Sequence, residues 1–193
     1  MTSHALAPGS RPGHPFGGMR RVAILGPAGS GKSRLAHDLG EATAIRVVYL
    51  DRLFWKPGWQ VRPKDEWVAI QNRELADGDS WIAEGLQQGT EHLWLDQADT
   101  IVFLDASPLR CIWRVTRRRL DSTPGPGLPE GCEPAPFHQA FLKFVRYLWW
   151  YSRTGRSEIL AELDRHRNRT RVVVLRREDD LRRFLDSARH PEG

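Results

Sequence analysis

Short apolar runs alternate with stretches of helical periodicity along most of the chain. Five such runs, several of them rich in β-branched residues, are typical of strands buried on both faces, and they lie at residues 22–25, 47–50, 81–83, 100–104 and 172–175. The intervening and following segments predict helices near residues 32–40, 64–76, 108–120, 137–163 and 178–188. Strands that alternate with helices predict an α/β domain with a mostly parallel sheet.

Two segments rich in proline and glycine interrupt this pattern. Residues 1–18 contain few large apolar side chains, so we expect a disordered tail that precedes one domain at residues 19–189. Residues 121–136 separate two predicted helices, and they are interpreted as a mobile loop.

The composition excludes several classes of protein. Hydrophobic residues make up 40% and charged residues 27% of the 193, which is typical of a globular chain and not of a disordered one. No apolar run approaches the length of a membrane span, and the first 20 residues lack the apolar core of a secretory signal. Two cysteines do not suggest a disulfide framework, so a cytoplasmic location is expected.

The strongest motif is the phosphate-binding pattern GxxxxGK[ST], which is matched by Gly26, Pro27, Ala28, Gly29, Ser30, Gly31, Lys32 and Ser33. A predicted strand leads into the motif and a predicted helix follows it, as this chemistry requires. Glycines let backbone N–H groups wrap an anion, and the helix N-terminus favours negative charge. Lys32 is expected to reach the β- and γ-phosphates of a nucleotide, and the Ser33 hydroxyl to bind Mg²⁺.

Three acidic residues follow predicted strands, at the edge of the sheet where α/β proteins bind ligands. Asp51 follows the second strand and is a candidate to accept a proton from an attacking hydroxyl, to help bind the metal, or only to cap a turn. Glu84 and Asp105 are rival candidates for the acidic position near Mg²⁺. The aromatic residues that follow Asp51 could line an acceptor pocket or form an apolar plug.

Arginines cluster in the second half of the chain: residues 106–193 carry a net charge of +7 and residues 1–105 carry −2, which gives +5 for the whole chain. Arg110, Arg114 and Arg118 are four residues apart and share one face of the predicted helix at 108–120. Such a face could cover the charge of a phosphoryl group in transfer, or it could simply be solvated. Arg153 and Arg156 are further candidates.

Together these residues resemble the adenylate-kinase-like P-loop small-molecule kinases, and among them the bacterial DNA topology modulation (FlaR-like) family. The resemblance runs from about residue 20 to 185 and is most specific in Leu50-Asp51-Arg52-Leu53-Phe54-Trp55-Lys56-Pro57-Gly58-Trp59. This stretch is also similar to the Asp-x-Phe-Tyr-Lys motif of nucleoside kinases, in which the Asp faces the acceptor hydroxyl. Where relatives have Asp-Gly-Asn-Tyr, this chain has Glu84-Gly85-Leu86-Gln87.

The resemblance implies a three-layer P-loop fold with a five-stranded, mostly parallel sheet and an arginine-bearing lid near residues 121–136. It also implies ATP and Mg²⁺ binding, favours Glu84 over Asp105 near the metal, and assigns Arg176 to nucleotide binding. The function expected is phosphoryl transfer from ATP to a small molecule, a nucleoside or nucleotide, with Lys32, Asp51, Arg114 and Arg118 as catalytic residues. The alternative is a nucleotide-binding regulator that acts on DNA, although no DNA-reading motif is evident in the sequence.

Overall fold

A five-stranded parallel sheet forms the centre of the computed structural model, which describes residues 19–85, 89–120, 130–132, 145–146, 148–149, 151 and 154–189. The strands are β1 (Arg21–Leu25), β2 (Val47–Tyr49), β5 (Trp81–Gly85), β6 (Thr100–Leu104) and β7 (Arg171–Leu175), and their spatial order is β2-β5-β1-β6-β7. A separate antiparallel hairpin pairs β3 (Trp55–Lys56) with β4 (Gln60–Val61).

Helices cover both faces of the sheet and connect its strands. They are α1 (Lys32–Thr43), α2 (Leu50–Phe54), α3 (Lys64–Ala76), α4 (His92–Leu95), α5 (Pro108–Leu120), α6 (Gly155–His166) and α7 (Glu178–Arg189). No helix in the described part of the chain is long and apolar enough to cross a lipid bilayer.

Successive side chains of each strand point to opposite faces of the sheet, and apolar side chains on both faces are buried against helices. In β1, Val22 and Ile24 belong to the apolar core shared with α1 and α7. Ala23 and Leu25 belong to the opposite core, which contains residues of α3, α4 and α6. Each face of the sheet therefore has its own helical layer, which gives the three-layer α/β architecture expected from the sequence.

The parallel register brings the carboxyl ends of the strands to one edge of the sheet. Glu84 of β5 is paired with Ile24 of β1 on one side and with Tyr49 of β2 on the other. The loop after β1, the start of α2 after β2 and the end of β5 are consequently neighbours in space. This edge is where the candidate site is found.

The predicted elements agree with most of the observed ones. The strand at 100–104 and the helices at 64–76 and 108–120 have the predicted bounds, whereas the other strands and helices differ by one to three residues at an end. The helix predicted at 137–163 is not continuous, because Thr154 lies in a turn and a new helix begins at Gly155, although residues 155–163 are helical as predicted. Residues 137–144, and the predicted tail at 1–18, lie outside the described residues.

Candidate functional site

A glycine-rich loop connects β1 to α1 and sets the shape of the site. Gly29 and Gly31 have φ angles of 82° and 103°, in the left-handed region that other residues adopt only with strain. A Cβ at Gly29 would lie 2.5 Å from the carbonyl oxygen of Cys111 in α5. Glycine is therefore required at position 29 both by the backbone conformation and by the close approach of α5.

The N-terminus of α1 has features that would suit an anion. Its N-cap residue is Gly31, which has no side chain to cap the helix, and its first turn contains no acidic residue. The first backbone N–H groups of a helix have no partner within the helix and carry a partial positive charge. Nearby, the Ser30 hydroxyl is buried and has no hydrogen-bond partner among the described residues. These features match the phosphate-binding role predicted from the sequence.

Lys32 lies between two carboxylates at this edge of the sheet. Its Nζ is 2.7 Å from Asp51 Oδ2 and 3.7 Å from Glu84 Oε2. Ser33 donates a hydrogen bond through Oγ to Glu84 Oε1 over 3.0 Å. Four residues from three separate chain segments thus form one polar cluster, which we call the Lys32 cluster: Lys32, Ser33, Asp51 and Glu84.

Local structure fixes each acidic member of the Lys32 cluster. Glu84 lies in β5 between two paired strands, and its side chain is completely buried. Asp51 lies in the first turn of the short helix α2, and about a quarter of its side chain is exposed. At Gly85, a Cβ would lie 3.0 Å from Leu50 Cβ and 3.5 Å from Asp51 Oδ1. Gly85 therefore makes room for α2 to pack against the end of β5.

Burial and neighbouring charges of opposite sign shift the pKa values of Glu84 and Lys32 in opposite directions. Burial raises the pKa of Glu84 to about 7, although the charge of Lys32 acts to lower it. Burial acts to lower the pKa of Lys32, but the charges of Asp51 and Glu84 and the hydrogen bond to Asp51 hold it above its usual value. Lys32 is consequently a buried cation that is stabilised by its acidic neighbours.

Arginines of α5 lie over the other side of the loop. Arg114 donates through Nη1 to the carbonyl oxygen of Ser30 over 2.9 Å and pairs through Nη2 with Glu178 Oε2 at 3.0 Å. The charge of Arg118 acts to lower the pKa of Lys32, which places Arg118 within electrostatic reach of the cluster. Glu178, at the start of α7, was not singled out by the sequence, because nothing local in a helix N-terminus reveals a partner 64 residues away.

A cavity of about 290 Å³ lies beside the loop and brings several predicted residues together. Ser30, Gly31, Arg114 and Arg176, together with Arg110, are among its lining residues. A cavity near this size, with backbone N–H groups and guanidinium groups in its wall, is suited to an anionic ligand.

Asp105 does not join the Lys32 cluster. It accepts two hydrogen bonds of 2.7 Å from Arg156, through Nε and Nη2, and a third of 3.2 Å from Arg176 Nε. The hydrogen bonds from Arg156 in particular hold the pKa of Asp105 below its usual value. The two acids that were rivals in the sequence thus have different partners: Glu84 contacts Lys32 and Ser33, whereas Asp105 binds arginines.

Two of the three described residues of the predicted lid, Gly131 and Cys132, contact the hairpin β3–β4. Gly58 donates its backbone N–H to the carbonyl oxygen of Gly131 over 3.0 Å. The Cys132 thiol lies 3.2 Å from the carbonyl oxygen of Lys56, and its sulfur accepts the backbone N–H of Trp59 over 3.4 Å. We call this the hairpin contact. Residues 121–129 and 133–136 of the predicted lid, and Arg153, lie outside the described residues.

Solved structures of similar shape show which fold this is. The chain is similar to a gluconokinase from Sinorhizobium meliloti 1021, with 17% identity, 90% of each chain covered and a TM-score of 0.52. It is also similar to a shikimate kinase from Acinetobacter baumannii, with 15% identity, 88% of this chain and 90% of that chain covered, and a TM-score of 0.51. The fold is that of the P-loop small-molecule kinases.

The chain is also similar to a putative kinase from Chloroflexus aurantiacus J-10-fl, with 15% identity, 89% of this chain and 98% of that chain covered, and a TM-score of 0.51. No family model matches the sequence, and no curated protein matches it. The P-loop kinase fold with its five-stranded parallel sheet is confirmed, whereas membership of the FlaR-like family stays a prediction.

Proposed function

We propose that the protein is an ATP-dependent kinase that transfers the γ-phosphoryl group of ATP to a hydroxyl group of a small molecule. The observation that carries this proposal is the Lys32 cluster, which gathers a lysine, a serine hydroxyl and two carboxylates at an anion-binding helix N-terminus. Phosphoryl transfer needs cations for the phosphates, oxygen ligands for a metal and an acceptor for a proton, and the cluster supplies each of them.

The nucleotide would be held by the loop and by the residues around the 290 Å³ cavity. The backbone N–H groups of residues 26–31 and the Lys32 ammonium would bind the phosphates, and Arg176 in the cavity wall would face the rest of the nucleotide. Arg114 contacts the loop through Ser30, and Arg118 lies within electrostatic reach of Lys32. We assign to both arginines the stabilisation of the negative charge that develops on the transferred phosphoryl group.

Ser33 and Glu84 fit a magnesium ion. Magnesium prefers oxygen ligands and is usually held by one or two protein groups together with phosphate oxygens and water. Glu84 Oε2 is buried and has no hydrogen-bond partner among the described residues, and Glu84 Oε1 lies 3.0 Å from the Ser33 hydroxyl. A bound Mg²⁺ would neutralise charge on the phosphate oxygens during transfer. No group of three acidic, histidine or cysteine residues in the described part of the chain forms a metal site, so the phosphates would have to complete the coordination.

Asp51 is assigned to the acceptor. In the proposed reaction the acceptor oxygen forms a bond to the γ-phosphorus, the bond from that phosphorus to the β,γ-bridging oxygen breaks, and ADP leaves. The proton of the acceptor hydroxyl passes to Asp51, whose side chain is the partly exposed carboxylate of the cluster. We propose a nucleoside or nucleotide as acceptor, because the residues from Asp51 to Lys56 are similar to the motif of nucleoside kinases.

Release of ADP from ATP, measured across a panel of acceptors, tests the proposal. The panel contains nucleosides, nucleotides and small alcohols, and also gluconate and shikimate, because kinases of similar fold are named for them. We expect at least one acceptor to stimulate ADP release, and Lys32→Ala to lower turnover at least 100-fold. Lys64→Ala, which removes an exposed lysine at the start of α3, is the matched control and should leave turnover unchanged.

Two results would contradict the proposal. One is equal turnover in Lys32→Ala and wild-type protein. The other is the absence of acceptor-dependent ADP release, together with DNA binding whose affinity falls steeply as salt is raised. The second result would favour the alternative function, that of a nucleotide-binding regulator of DNA.

A further inference from the structure

The lysine of the phosphate loop and the proposed proton acceptor are bound to each other. Lys32 Nζ lies 2.7 Å from Asp51 Oδ2, which is the distance of a strong charge-assisted hydrogen bond. Only 7% of Lys32 is exposed, so this contact is shielded from water. The proposed function requires Lys32 to bind the phosphates and Asp51 to bind the acceptor, but in this structure the two side chains bind each other.

A phosphate group at Lys32 would meet both carboxylates of the cluster. One ammonium group already faces Asp51 at 2.7 Å and Glu84 at 3.7 Å, and a phosphate adds a third negative group to the same cation. Like charges repel strongly at these distances when water is excluded. Binding of a phosphate chain to Lys32 is consequently favoured when one carboxylate moves away.

Asp51 is the carboxylate that can move. Glu84 lies in a strand of the sheet, is completely buried and accepts the Ser33 hydroxyl. Asp51 lies on a five-residue helix that follows the edge strand β2, and about a quarter of its side chain is exposed. A rotation of the Asp51 side chain disturbs little of the core, whereas a displacement of Glu84 would break strand packing.

We propose that the Lys32–Asp51 ion pair is an interlock that makes acceptor binding depend on nucleotide binding. When the phosphate groups bind Lys32, the Asp51 side chain moves away from it. Asp51 is then available to bind the hydroxyl group of the acceptor. This inference rests on the proposed function, and it adds an order of binding: the nucleotide binds first and raises the affinity for the acceptor. By thermodynamic linkage, the acceptor raises the affinity for the nucleotide by the same factor.

The interlock predicts that removal of the Asp51 charge tightens phosphate binding. In Asp51→Asn, Lys32 no longer has its nearest anionic partner and is available to the ligand. We expect the Kd of tripolyphosphate, and of a nonhydrolysable ATP analogue, to fall about 10-fold, which corresponds to about 1.4 kcal/mol. Calorimetric titration in the presence of EDTA measures this affinity without any contribution from a metal ion.

Matched variants separate the interlock from general effects of charge. Asp65→Asn makes the same chemical change at an exposed position in the first turn of α3 and should leave both Kd values at the wild-type level. Asp51→Ala should tighten binding as Asp51→Asn does, and it provides a second variant if one of the two fails to fold. The melting temperature of each variant identifies a folding failure before the titration.

The outcomes distinguish the interlock from the proposed function. If wild-type protein binds both probes and the Asp51 variants bind them equally well or more weakly, the interlock is wrong and the proposed function stands. If wild-type protein binds neither probe at millimolar concentration, with Mg²⁺ as well as with EDTA, both are wrong. Tighter binding in both Asp51 variants, together with unchanged binding in Asp65→Asn, supports the interlock.

Discussion

Glu84 shows at the scale of one residue what burial does to a carboxylate. Its side chain is completely buried, one oxygen accepts the Ser33 hydroxyl, and the other lies 3.7 Å from Lys32 Nζ but has no hydrogen-bond partner among the described residues. A buried carboxylate oxygen without a hydrogen bond is costly, and a bound cation would remove that cost.

Glu84→Gln is therefore expected to remove the effect of Mg²⁺ on ATP affinity. The amide keeps the size of the side chain and can still accept the Ser33 hydroxyl, but it is a much weaker magnesium ligand. Titration of ATP with Mg²⁺ and with EDTA should show a large difference in Kd for wild-type protein and little difference for the variant. Glu41→Gln, at an exposed position of α1, serves as control and should behave like wild-type protein. An undiminished effect of Mg²⁺ in Glu84→Gln would exclude this residue as a ligand.

Candidate residues that are adjacent in the chain could be named from the sequence, whereas contacts between distant residues could not be predicted from it. The glycine-rich loop was proposed residue by residue as a phosphate-binding loop, because its glycines, lysine and serine are adjacent in the chain. Asp105 and Glu84 looked alike, since each follows an apolar strand. The arginines that bind Asp105 come from positions 51 and 71 residues away, so the residues around each acid do not separate the two, although the family resemblance favoured Glu84.

At the scale of elements, the approach of α5 to the phosphate loop is the tightest packing at the site. A Cβ at Gly29 would lie 2.5 Å from a backbone oxygen of α5, and backbone atoms can yield only if the helix shifts. Helix α5 also carries Arg114, whose guanidinium reaches the carbonyl oxygen of Ser30 in the same loop. The position of the arginine thus depends on the absence of a side chain at Gly29.

Gly29→Ala is expected to lower the free energy of unfolding by about 2–4 kcal/mol, the sum of a strained φ angle and an overpacked contact. Gly78→Ala is the matched control, because Gly78 has a φ of 90° and a Cβ there would meet no atom within 4 Å. Gly78→Ala should lower the free energy of unfolding by about 1 kcal/mol, because only the φ angle is unfavourable there. Urea unfolding of both variants measures the difference. Equal losses at the two positions would show that α5 does not pack tightly on the loop.

Element length decided which parts of the fold could be predicted. Helices α3 and α5 have 13 residues each, long enough for helical periodicity to show, and their predicted bounds are confirmed. Helices α2 and α4, with five and four residues, and the two-residue strands of the hairpin were not predicted. Such short elements are determined by the packing around them, as at Gly85, and leave no periodic pattern in the sequence.

At the scale of the whole molecule, Asp105 connects three elements that are distant in the chain. It follows β6, and it binds Arg156 in the first turn of α6 and Arg176 directly after β7. Its side chain is only 9% exposed, whereas the side chains of Arg156 and Arg176 are 41% and 66% exposed, so these charge-assisted hydrogen bonds are shielded from water on the carboxylate side only.

Asp105→Asn should lower the free energy of unfolding at pH 7 by about 1–2 kcal/mol. The pKa of Asp105 is lowered in the folded protein, so its contribution is complete above the unfolded pKa of about 4 and is lost as the pH falls through the folded value. Urea unfolding at pH 7, 5 and 3.5 should therefore show a difference between wild-type and variant protein that shrinks only at the lowest pH. Asp186→Asn, which removes an exposed ion pair, should cost little at any pH. A difference that grows on acidification would contradict the role of Asp105.

The hairpin contact buries a thiol whose labelling rate would report whether the hairpin separates from residues 130–132. Both cysteines are buried, and burial raises the pKa of Cys111 in α5 to about 11, so this thiol reacts slowly as long as α5 stays packed. Cys132 is shielded by the hairpin, through Lys56 and Trp59. A thiol-reactive dye can reach Cys132 only while this contact is broken. The rate of Cys132 labelling, measured with and without nucleotide, would therefore report how often the hairpin separates from residues 130–132. No substitution in the chain is needed for this measurement.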